Sequence, residues 1–244
     1  MKKHWETRTY IDLFAGSGHA LLGEARRRVL TSPLIALSIP DPFTNYVFCD
    51  GDATKLQALE TRVQTLGAVA SVKCVHGDTN ASAREIADHI PQHSSSNRVL
   101  SLCFIDPYNL EIAFHTMKTL GTGRALDFII VLMLQMDAGR NWQGYVKEDR
   151  DRIDRLLGSS DWRNRWRDAE RDREKATRFL AAEYARAMTQ LGYRPTSIAQ
   201  MIPVRSTDKN LLLYYLAFFS KNKKGYEFWE QVRKYSTDQM ELGL

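Results

Sequence analysis

Short apolar runs alternate with longer amphipathic segments along the first half of the chain, which is typical of a mostly parallel sheet covered by helices. Near the C-terminus, the polar turn RSTDKN separates two more apolar runs and predicts an antiparallel hairpin. The pattern therefore predicts an α/β, Rossmann-like fold with a seven-stranded, mostly parallel sheet. Its predicted strands are Thr9 to Phe14, Tyr46 to Cys49, Ser71 to Val75, Val99 to Ile105, Leu126 to Leu134, Thr196 to Val204 and Leu211 to Ser220.

The helices between these runs have recognisable start signals. Ser32 followed by Pro33 fits an N-cap and a first-turn proline, so a helix should begin with SPLIAL. This leaves residues 18–31 as an excursion longer than a usual βα loop, which we expect to cover part of a ligand site. A second helix is predicted from Thr79 to Ile90, and a short basic helix closes the chain.

A helical insertion is predicted over about residues 138–192, because apolar side chains recur there at three- and four-residue steps. Such a stripe is far more typical of a packed core than of a cofactor site. At 244 residues, we expect a single domain spanning residues 1–244 with this insertion. The stripe comprises Trp162, Trp166, Ala169, Ala176, Leu180, Tyr184, Ala187 and Leu191.

The three cysteines, Cys49, Cys74 and Cys103, lie in apolar runs without a CxxC pair. We interpret them as small core residues in a reducing compartment and expect no metal site. No stretch approaches the roughly 18 uncharged apolar residues that a membrane span needs. No apolar signal segment follows the N-terminal lysines, so a cytoplasmic location and no membrane partner are expected.

The net charge of +5 and the isoelectric point near 9.1 modestly favour anionic partners such as nucleic acid. The excess is too small to identify a partner. An arginine-rich helix is commonly a solvated face, and this alternative stays open beside a binding surface. The basic residues that would carry nucleic-acid binding are Arg163, Arg165, Arg167 and Lys221.

The segment DLFAGSG follows the first predicted strand and contains Phe14 between Asp12 and two glycines. Gly16 and Gly18 stand where the backbone must turn sharply beside a ligand. An ordinary glycine turn is the alternative, since glycines punctuate many strand-to-helix junctions.

Carboxylates follow the next three strands, and the carboxyl ends of parallel strands form the ligand crevice. Asp50, with Asp52 two residues later, can accept hydrogen bonds from the ribose hydroxyls of a nucleoside. Asp78 can accept from the exocyclic amine of adenine, or it can cap the helix beginning at Thr79. Asp106 precedes the rigid turn of Pro107 and Tyr108, where a substrate is expected. The alternative role for Asp106 is to cap a helix that begins near Glu111.

This set of strand ends disfavours a nicotinamide cofactor, because the final glycine of GxGxxG is missing and Asp50 comes too late. Five parallel-type strands followed by a hairpin resemble the class I methyltransferases that use S-adenosylmethionine. Their seventh strand inserts antiparallel to the others. The resemblance implies S-adenosylmethionine as the cofactor.

The chain also resembles the three-Cys-motif partner family over nearly its whole length. The strings that carry this resemblance are YIDLFAGSG, SPLIAL, FIDPY, LDFII with a downstream DAGRN, GSSDW and LLYYLAFFSKNKKGYEFW. It implies a methyltransferase-type fold and an association with a three-Cys-motif radical S-adenosylmethionine protein, and it leaves the substrate open.

The methyltransferase resemblance also implies residue roles. Asp12, Gly16 and Gly18, with Phe14 between them, would hold the methionine end of the cofactor; Asp50 would bind its ribose and Asp78 its adenine. Asp106, Pro107 and Tyr108 would face the methyl acceptor as the catalytic set, similar to the D-P-P-Y motif of adenine amino-methyltransferases but one proline short. Arg140 and Asn141 are further candidates for acceptor contact.

These residues predict an S-adenosylmethionine-dependent methyltransferase whose acceptor is open, with nucleic acid weakly favoured. The alternative is a catalytically silent protein that binds cofactor or nucleic acid as the partner of the radical-S-adenosylmethionine protein. Turnover of labelled cofactor separates the two.

Overall fold

The computed structural model describes residues 5–23, 26–67, 71–134, 138–147, 150–172, 175–206 and 209–241, with only the backbone described for 138–140 and 236–241. The chain divides into two compact units, each described by itself below. The first comprises Met1–Ile105 and Thr116–Leu126, and the second comprises Asp106–His115 and Asp127–Leu244. A single domain spanning the chain stays a prediction.

The strands are β1 Thr7–Asp12, β2 His19–Leu22, β3 Arg27–Leu30, β4 Asn45–Asp50, β5 Ser71–His76, β6 Val99–Ile105, β7 Leu126–Leu132, β8 Ile202–Arg205 and β9 Leu212–Phe219. Seven of them form one sheet in the order β5-β4-β1-β6-β7-β9-β8, and β2 pairs with β3 separately. β1 is parallel to β4 and β6, whereas β9 is antiparallel to both β7 and β8. This is the Rossmann-like order with an antiparallel strand inserted near one edge, and it confirms the predicted fold class.

The helices are α1 Ser32–Ser38, α2 Ala53–Thr65, α3 Ala83–Asp88, α4 Phe114–Gly121, α5 Ala138–Tyr145, α6 Arg152–Leu157, α7 Trp162–Arg171, α8 Ala176–Gln190 and α9 Lys223–Glu241. Residues 138–192 are thus largely helical, as the periodicity predicts. No helix in the described ranges is both long enough and apolar enough to cross a membrane.

The core of the first unit lies around the central strand β1, which is buried because strands flank it on both sides. Tyr10, Tyr46 and Phe48 pack their rings at 5.9 to 6.5 Å between centroids. The hydroxyl of Tyr46 donates to the carbonyl of Ala36 at 3.1 Å, which satisfies its polar end. Burying each such ring stabilises the fold by roughly 1.5 to 3 kcal/mol.

The core of the helices α5 to α8 is aromatic, and it confirms that the helical stripe is packed interior. Trp142 lies 4.8 Å from Trp166 and 5.5 Å from Trp162 between ring centroids. Phe179 packs against Trp166 at 5.1 Å. The indole N–H of Trp162 donates to Asp154 at 2.7 Å, so this fully buried ring keeps its polar contact.

The excursion over residues 18–31 differs from the predicted loop, because it contains the antiparallel hairpin β2–β3. Its strands have only four residues each, too short for a periodic signal. The helix after it begins one residue earlier than predicted: Thr31, and not Ser32, occupies the N-cap, without a side-chain cap, and Ser32 is already helical. The proline signal was correct, since Pro33 lies in the first turn.

Other predicted boundaries were also wrong. The helix after β5 covers only Ala83–Asp88, because Asp78 organises residues 79–82 as a separate turn. The helix expected near Glu111 begins at Phe114, so Asp106 lies too far along the chain to cap it. The sixth predicted strand begins at Ile202 and not at Thr196, after a 3-10 turn at Ile198–Gln200 closed by the side chain of Gln200.

Candidate functional site

The loop after β1 begins at Asp12, whose side chain is fully buried. Its carboxylate accepts hydrogen bonds from the backbone N–H of Phe14 and the hydroxyl of Tyr10, both at 3.3 Å. Burial first, and the Asp12 charge second, raise the pKa of Tyr10, which keeps its hydroxyl protonated as a donor. Asp12 therefore shapes the loop from beneath and has no exposed surface for a ligand, while Phe14 is half-buried.

The two glycines of this loop have different physical roles, although both have positive φ. Gly16 has φ of +59°, and a Cβ there would meet no heavy atom within 4 Å. Gly18 has φ of +82°, and its Cβ would lie 2.7 Å from Cγ of Leu34 and 2.9 Å from Cδ1 of Leu59. Gly16 therefore leaves open space at the predicted ligand edge. Gly18 allows side chains of the helices α1 and α2 to pack closely against the loop.

Asp50, the last residue of β4, joins two loops through its carboxylate. Its Oδ2 accepts from the N–H of Gly16 at 2.7 Å, and its Oδ1 accepts from the N–H of Asp52 at 2.8 Å. Each carboxylate oxygen has a second lone pair that can accept a ligand hydroxyl. Asp52 has a different role, because it caps α2 through the N–H groups of Thr54 and Lys55. These charge-assisted contacts, the one from Lys55 foremost, lower the pKa of Asp52.

The loop after β5 is attached to the other two loops. The N–H of Gly77 donates to the carbonyl of Asp50 at 3.1 Å, and the hydroxyl of Thr79 donates to the carbonyl of Leu13 at 2.8 Å. Asp78 is exposed, and its Oδ1 accepts from the N–H groups of Asn80 and Ala81 at 3.0 and 2.9 Å. The capping alternative for Asp78 is thus realised in a turn, and its exposed carboxylate still has acceptor capacity.

The ends of β1, β4 and β5 are therefore joined by direct hydrogen bonds. The structure brings Gly16 and Asp50 into contact and places the loop of Asp78 beside them. Open space at Gly16 and carboxylate acceptors at Asp50 and Asp78 fit a nucleoside with ribose hydroxyls and an exocyclic amine. The residues present therefore fit the cofactor implied by the sequence.

The predicted acceptor residues belong to the second unit. Asp106 is exposed at the surface, and no hydrogen bond or ion pair to its carboxylate occurs within the described part of the chain. Partial desolvation of this carboxylate raises its pKa. Asp106 in turn acts on Tyr214, whose pKa is raised by burial and then by this charge. Pro107 is buried and holds the turn, while the Tyr108 ring is 81 % exposed. An available carboxylate and an exposed ring thus stand two residues apart.

Asn141 lies on α5, where it lines a cavity of about 400 Å³ with Gln143, Gly144, Tyr145 and Arg150. The cavity belongs to the second unit and is polar in its side chains. The side chain of Arg140 lies outside the described residues, so its contact with an acceptor stays a prediction.

Sequence reasoning missed two residues of the site regions. Thr79 connects the third strand end to the first, and only its position after Asp78 could have indicated this role. Asn109 follows Tyr108, and its Oδ1 is buried without a hydrogen-bond partner in the described chain. Leaving a buried amide oxygen without a hydrogen bond destabilises the folded state by about 1 to 3 kcal/mol. A ligand or a water molecule that donates to this oxygen would remove that cost.

The cysteines behave as core residues. Burial raises the pKa of Cys49 to about 11 and that of Cys74 to about 12, and it raises the pKa of Cys103 well above its ordinary value. All three thiols are thus protonated near neutral pH and are poor nucleophiles or metal ligands. No group of His, Cys, Asp or Glu suited to a metal ion occurs among the described residues.

The arginines predicted for nucleic-acid binding on α7 are largely engaged inside the second unit. Arg163 is only 7 % exposed, and its guanidinium pairs with Asp154 at 2.5 Å and donates to the carbonyl of Arg150 at 2.6 Å. Arg165 forms a bidentate pair with Glu183. Lys221 lies 5.0 Å from the Tyr193 ring, and burial lowers its pKa. Arg167 and Lys221 are exposed, whereas Arg163 and Arg165 are held by internal carboxylates, so nucleic-acid binding by these four residues stays a prediction.

Comparison with known proteins gives remote structural likenesses only. No family model and no curated protein sequence matches the chain. Trm1 from Pyrococcus horikoshii with S-adenosyl-L-methionine is 11 % identical over 91 % of this chain and 52 % of that one, with a TM-score of 0.47. Geranyl diphosphate methyltransferase with S-adenosylmethionine is 11 % identical over 90 % and 82 %, with a TM-score of 0.43.

A third likeness is to a putative caffeoyl-CoA O-methyltransferase from Staphylococcus aureus, which is 12 % identical over 88 % of this chain and 76 % of that one, with a TM-score of 0.42. Similarities this remote carry no argument about activity. The fold assignment therefore depends on the strand order and pairing directions of the chain itself.

Proposed function

We propose that this chain is an S-adenosylmethionine-dependent methyltransferase. The observation that carries the proposal is the hydrogen-bonded junction of three strand ends, in which Asp50 accepts from Gly16 and from Gly77. The carboxyl ends of parallel strands are where nucleoside ligands bind in this fold class. When bound, the cofactor would supply a methyl group on a sulfonium sulfur.

Different residues of the chain would bind different parts of that cofactor. Asp50 would accept hydrogen bonds from the ribose hydroxyls with the lone pairs that Gly16 and Asp52 leave available. Asp78 would accept from the adenine amine. Gly16 would admit the methionine end, since no heavy atom lies within 4 Å of its absent Cβ. Asp12 and Gly18 would act through the loop they shape.

Asp106 would orient the acceptor and take its proton as the new bond to the methyl carbon forms. The raised pKa of this carboxylate favours that role, because a stronger base removes a proton more readily near neutral pH. The exposed Tyr108 ring would stack on a planar acceptor, which weakly favours a nucleobase amine. Pro107 would fix the turn, and Arg140 and Asn141 would contact the acceptor further out.

The family resemblance extends this proposal to a partner. Membership of the three-Cys-motif partner family would associate the chain with a radical-S-adenosylmethionine protein, and a cytoplasmic location would suit that association. The motif strings from YIDLFAGSG to KNKKGYEFW support this part. Co-purification of the two proteins from a strain that expresses both would test it.

Calorimetry with S-adenosylmethionine and transfer of a tritiated methyl group into cellular RNA, DNA or protein test the enzymatic proposal. We expect micromolar cofactor binding and label in one macromolecular fraction, lost in Asp106→Asn. Cofactor binding without label in any fraction would instead support the silent partner. Absence of cofactor binding would overturn the methyltransferase and leave only a silent partner that binds nucleic acid.

A further inference from the structure

The hairpin β2–β3 is attached directly to the glycine loop of the proposed cofactor site. The N–H of Thr31 donates to the carbonyl of Gly18 at 2.9 Å, which closes the base of the hairpin on the last glycine. Across the hairpin, Leu21 faces Arg28 and Leu22 faces Arg27. A ligand held on this hairpin therefore lies next to the loop that follows β1.

The two arginines of the hairpin lack carboxylate partners within the described part of the chain. Arg27 and Arg28 are exposed, and neither forms an ion pair within the described chain. Five arginines on or near the helices are, in contrast, paired with acids close by in the chain or on a neighbouring helix. These pairs are Arg155 with Asp151, Arg163 with Asp154, Arg165 with Glu183, Arg171 with Asp168, and Arg233 with Glu230.

Positive charge also gathers at the base of the hairpin. The guanidinium of Arg62, near the end of α2, donates to the carbonyl of Ser17 in the glycine loop. Burial lowers the pKa of His19, and the nearby charges of Arg62 and Arg28 lower it further. The guanidinium groups of Arg28 and Arg62 therefore both act on the site of His19, and their combined positive charge would attract an anionic ligand.

Apolar side chains are interleaved with these cations. Leu21, Leu22 and Leu30 are exposed at 52 %, 51 % and 44 %, and Ile35 on α1 is exposed at 52 %. Because residues directly opposite each other project from the same face, each face of the hairpin presents a leucine beside an arginine. An element that lies on a membrane separates its apolar and basic faces, whereas mixed faces suit phosphates flanked by bases.

From these contacts we infer that the β2–β3 hairpin, with Arg62 at its base, is a docking surface for nucleic acid. Arg27, Arg28 and Arg62 contact phosphodiester groups, and the exposed leucines pack against bases. A two-stranded ribbon is narrow enough to follow a groove or a single strand. Nucleic-acid binding by this hairpin does not depend on the methyltransferase proposal. The further role of presenting the methyl acceptor to the cofactor loop does rest on that proposal.

Fluorescence anisotropy with labelled 24-nucleotide single-stranded RNA and the matching DNA tests the inference on the full chain over a range of salt. The double variant Arg27→Gln/Arg28→Gln should bind roughly ten-fold more weakly at low salt, and the slope of log K against log salt should fall by about 1.4. The matched control is Arg167→Gln/Arg171→Gln on α7, which removes the same charge and should change binding less than about two-fold. Comparing RNA with DNA identifies the preferred nucleic acid.

Equal losses in the two double variants, or no loss in the hairpin variant, would overturn the inference. Binding of wild-type protein to phosphatidylserine vesicles but to neither nucleic acid would overturn it in favour of a membrane surface. Calorimetry keeps the two proposals apart. Retained cofactor binding in the hairpin variant, with weakened nucleic-acid binding, supports the docking surface, whereas wild-type protein that binds nucleic acid but no cofactor defeats only the methyltransferase proposal.

Discussion

The backbone N–H of Gly16 donates to Oδ2 of Asp50 at 2.7 Å, so the loop after β1 is fixed to the end of β4 by a charge-assisted bond. The other oxygen of the same carboxylate holds the N–H of Asp52. One side chain therefore sets the shape of two loops and still has lone pairs for a ligand. Asp50 is in this sense both a part of the scaffold and a candidate ligand-binding group.

Replacing Asp50 with alanine should weaken cofactor binding by about 10- to 200-fold, because it removes charge-assisted hydrogen bonds worth about 1.5 to 3 kcal/mol. Calorimetry measures the change. Asp52→Ala is the matched control, since it removes the cap of α2 and should cost about 1 kcal/mol of stability while leaving cofactor affinity intact. Equal loss of affinity in both variants would contradict the assignment.

Gly18→Ala should lower the free energy of unfolding by more than Gly16→Ala. Both changes place a side chain at positive φ, which costs about 1 to 2 kcal/mol. Only at Gly18 would the new Cβ also collide with Leu34 and Leu59, adding about 1 to 3 kcal/mol of overpacking. Urea denaturation compares the two variants, and equal costs would show that the collision is relieved without strain.

Methyl transfer should decrease as the pH falls through the pKa of Asp106, because only the ionised carboxylate accepts a proton. Burial raises that pKa, so the acid limb should lie above the range of an ordinary aspartate. Asp106→Asn should lose this limb and reduce kcat by about 10² to 10⁴-fold with cofactor affinity unchanged. A variant that keeps the full rate would exclude Asp106 as the base.

The titration of Asp127 should lower the free energy of unfolding as the pH rises from about 4 to 7. Burial raises the pKa of Asp127 to about 6 from an ordinary 3.8, against the smaller effects of the Ser220 hydroxyl and the Lys221 ammonium. The folded state thus holds this proton more tightly than the unfolded state, and its advantage is complete below pH 3.8 and lost as the pH passes 6. Two pKa units correspond to about 3 kcal/mol.

The measurement is the free energy of unfolding of wild type and Asp127→Asn at several pH values. The stability of the variant relative to wild type should rise over this range by about 1 to 3 kcal/mol. Asp168→Asn, at an exposed position on α7, serves as the control and should show no such trend. A difference between Asp127→Asn and wild type that is independent of pH would contradict the shifted titration.

Arg163→Met should destabilise the protein by about 3 to 5 kcal/mol, because it leaves Asp154 without its buried partner. Arg167→Met, on the exposed face of the same helix, should change stability by less than about 0.5 kcal/mol. Thermal or urea unfolding distinguishes the two. Similar stabilities would mean that Arg163 is a solvated cation after all.

Much of the fold and part of the site follow from local patterns. Alternating apolar runs located all seven strands of the main sheet, and the strand-end residues Gly16, Asp50 and Asp78 were identified from their positions after those runs. The hairpin β2–β3 was missed because four-residue strands carry too little periodicity. The helix after Asp78 begins at Ala83 and not at Thr79, because the Asp78 side chain holds the intervening residues in a turn. Such local side-chain hydrogen bonds compete with helix formation and are not visible in the hydrophobic pattern.

The order of the main strands and helices can be predicted from the amino-acid sequence, because hydrophobic periodicity depends on neighbours along the chain. The sequence also determines which chemical groups stand at the strand ends. What each group does there depends on tertiary contacts: Asp12 is enclosed, Gly18 packs against side chains of two helices, and Arg163 is paired with an acid, whereas Arg27 and Arg28 have no acidic partner in the described chain. Burial and pairing depend on residues distant in the chain, and no local pattern encodes them.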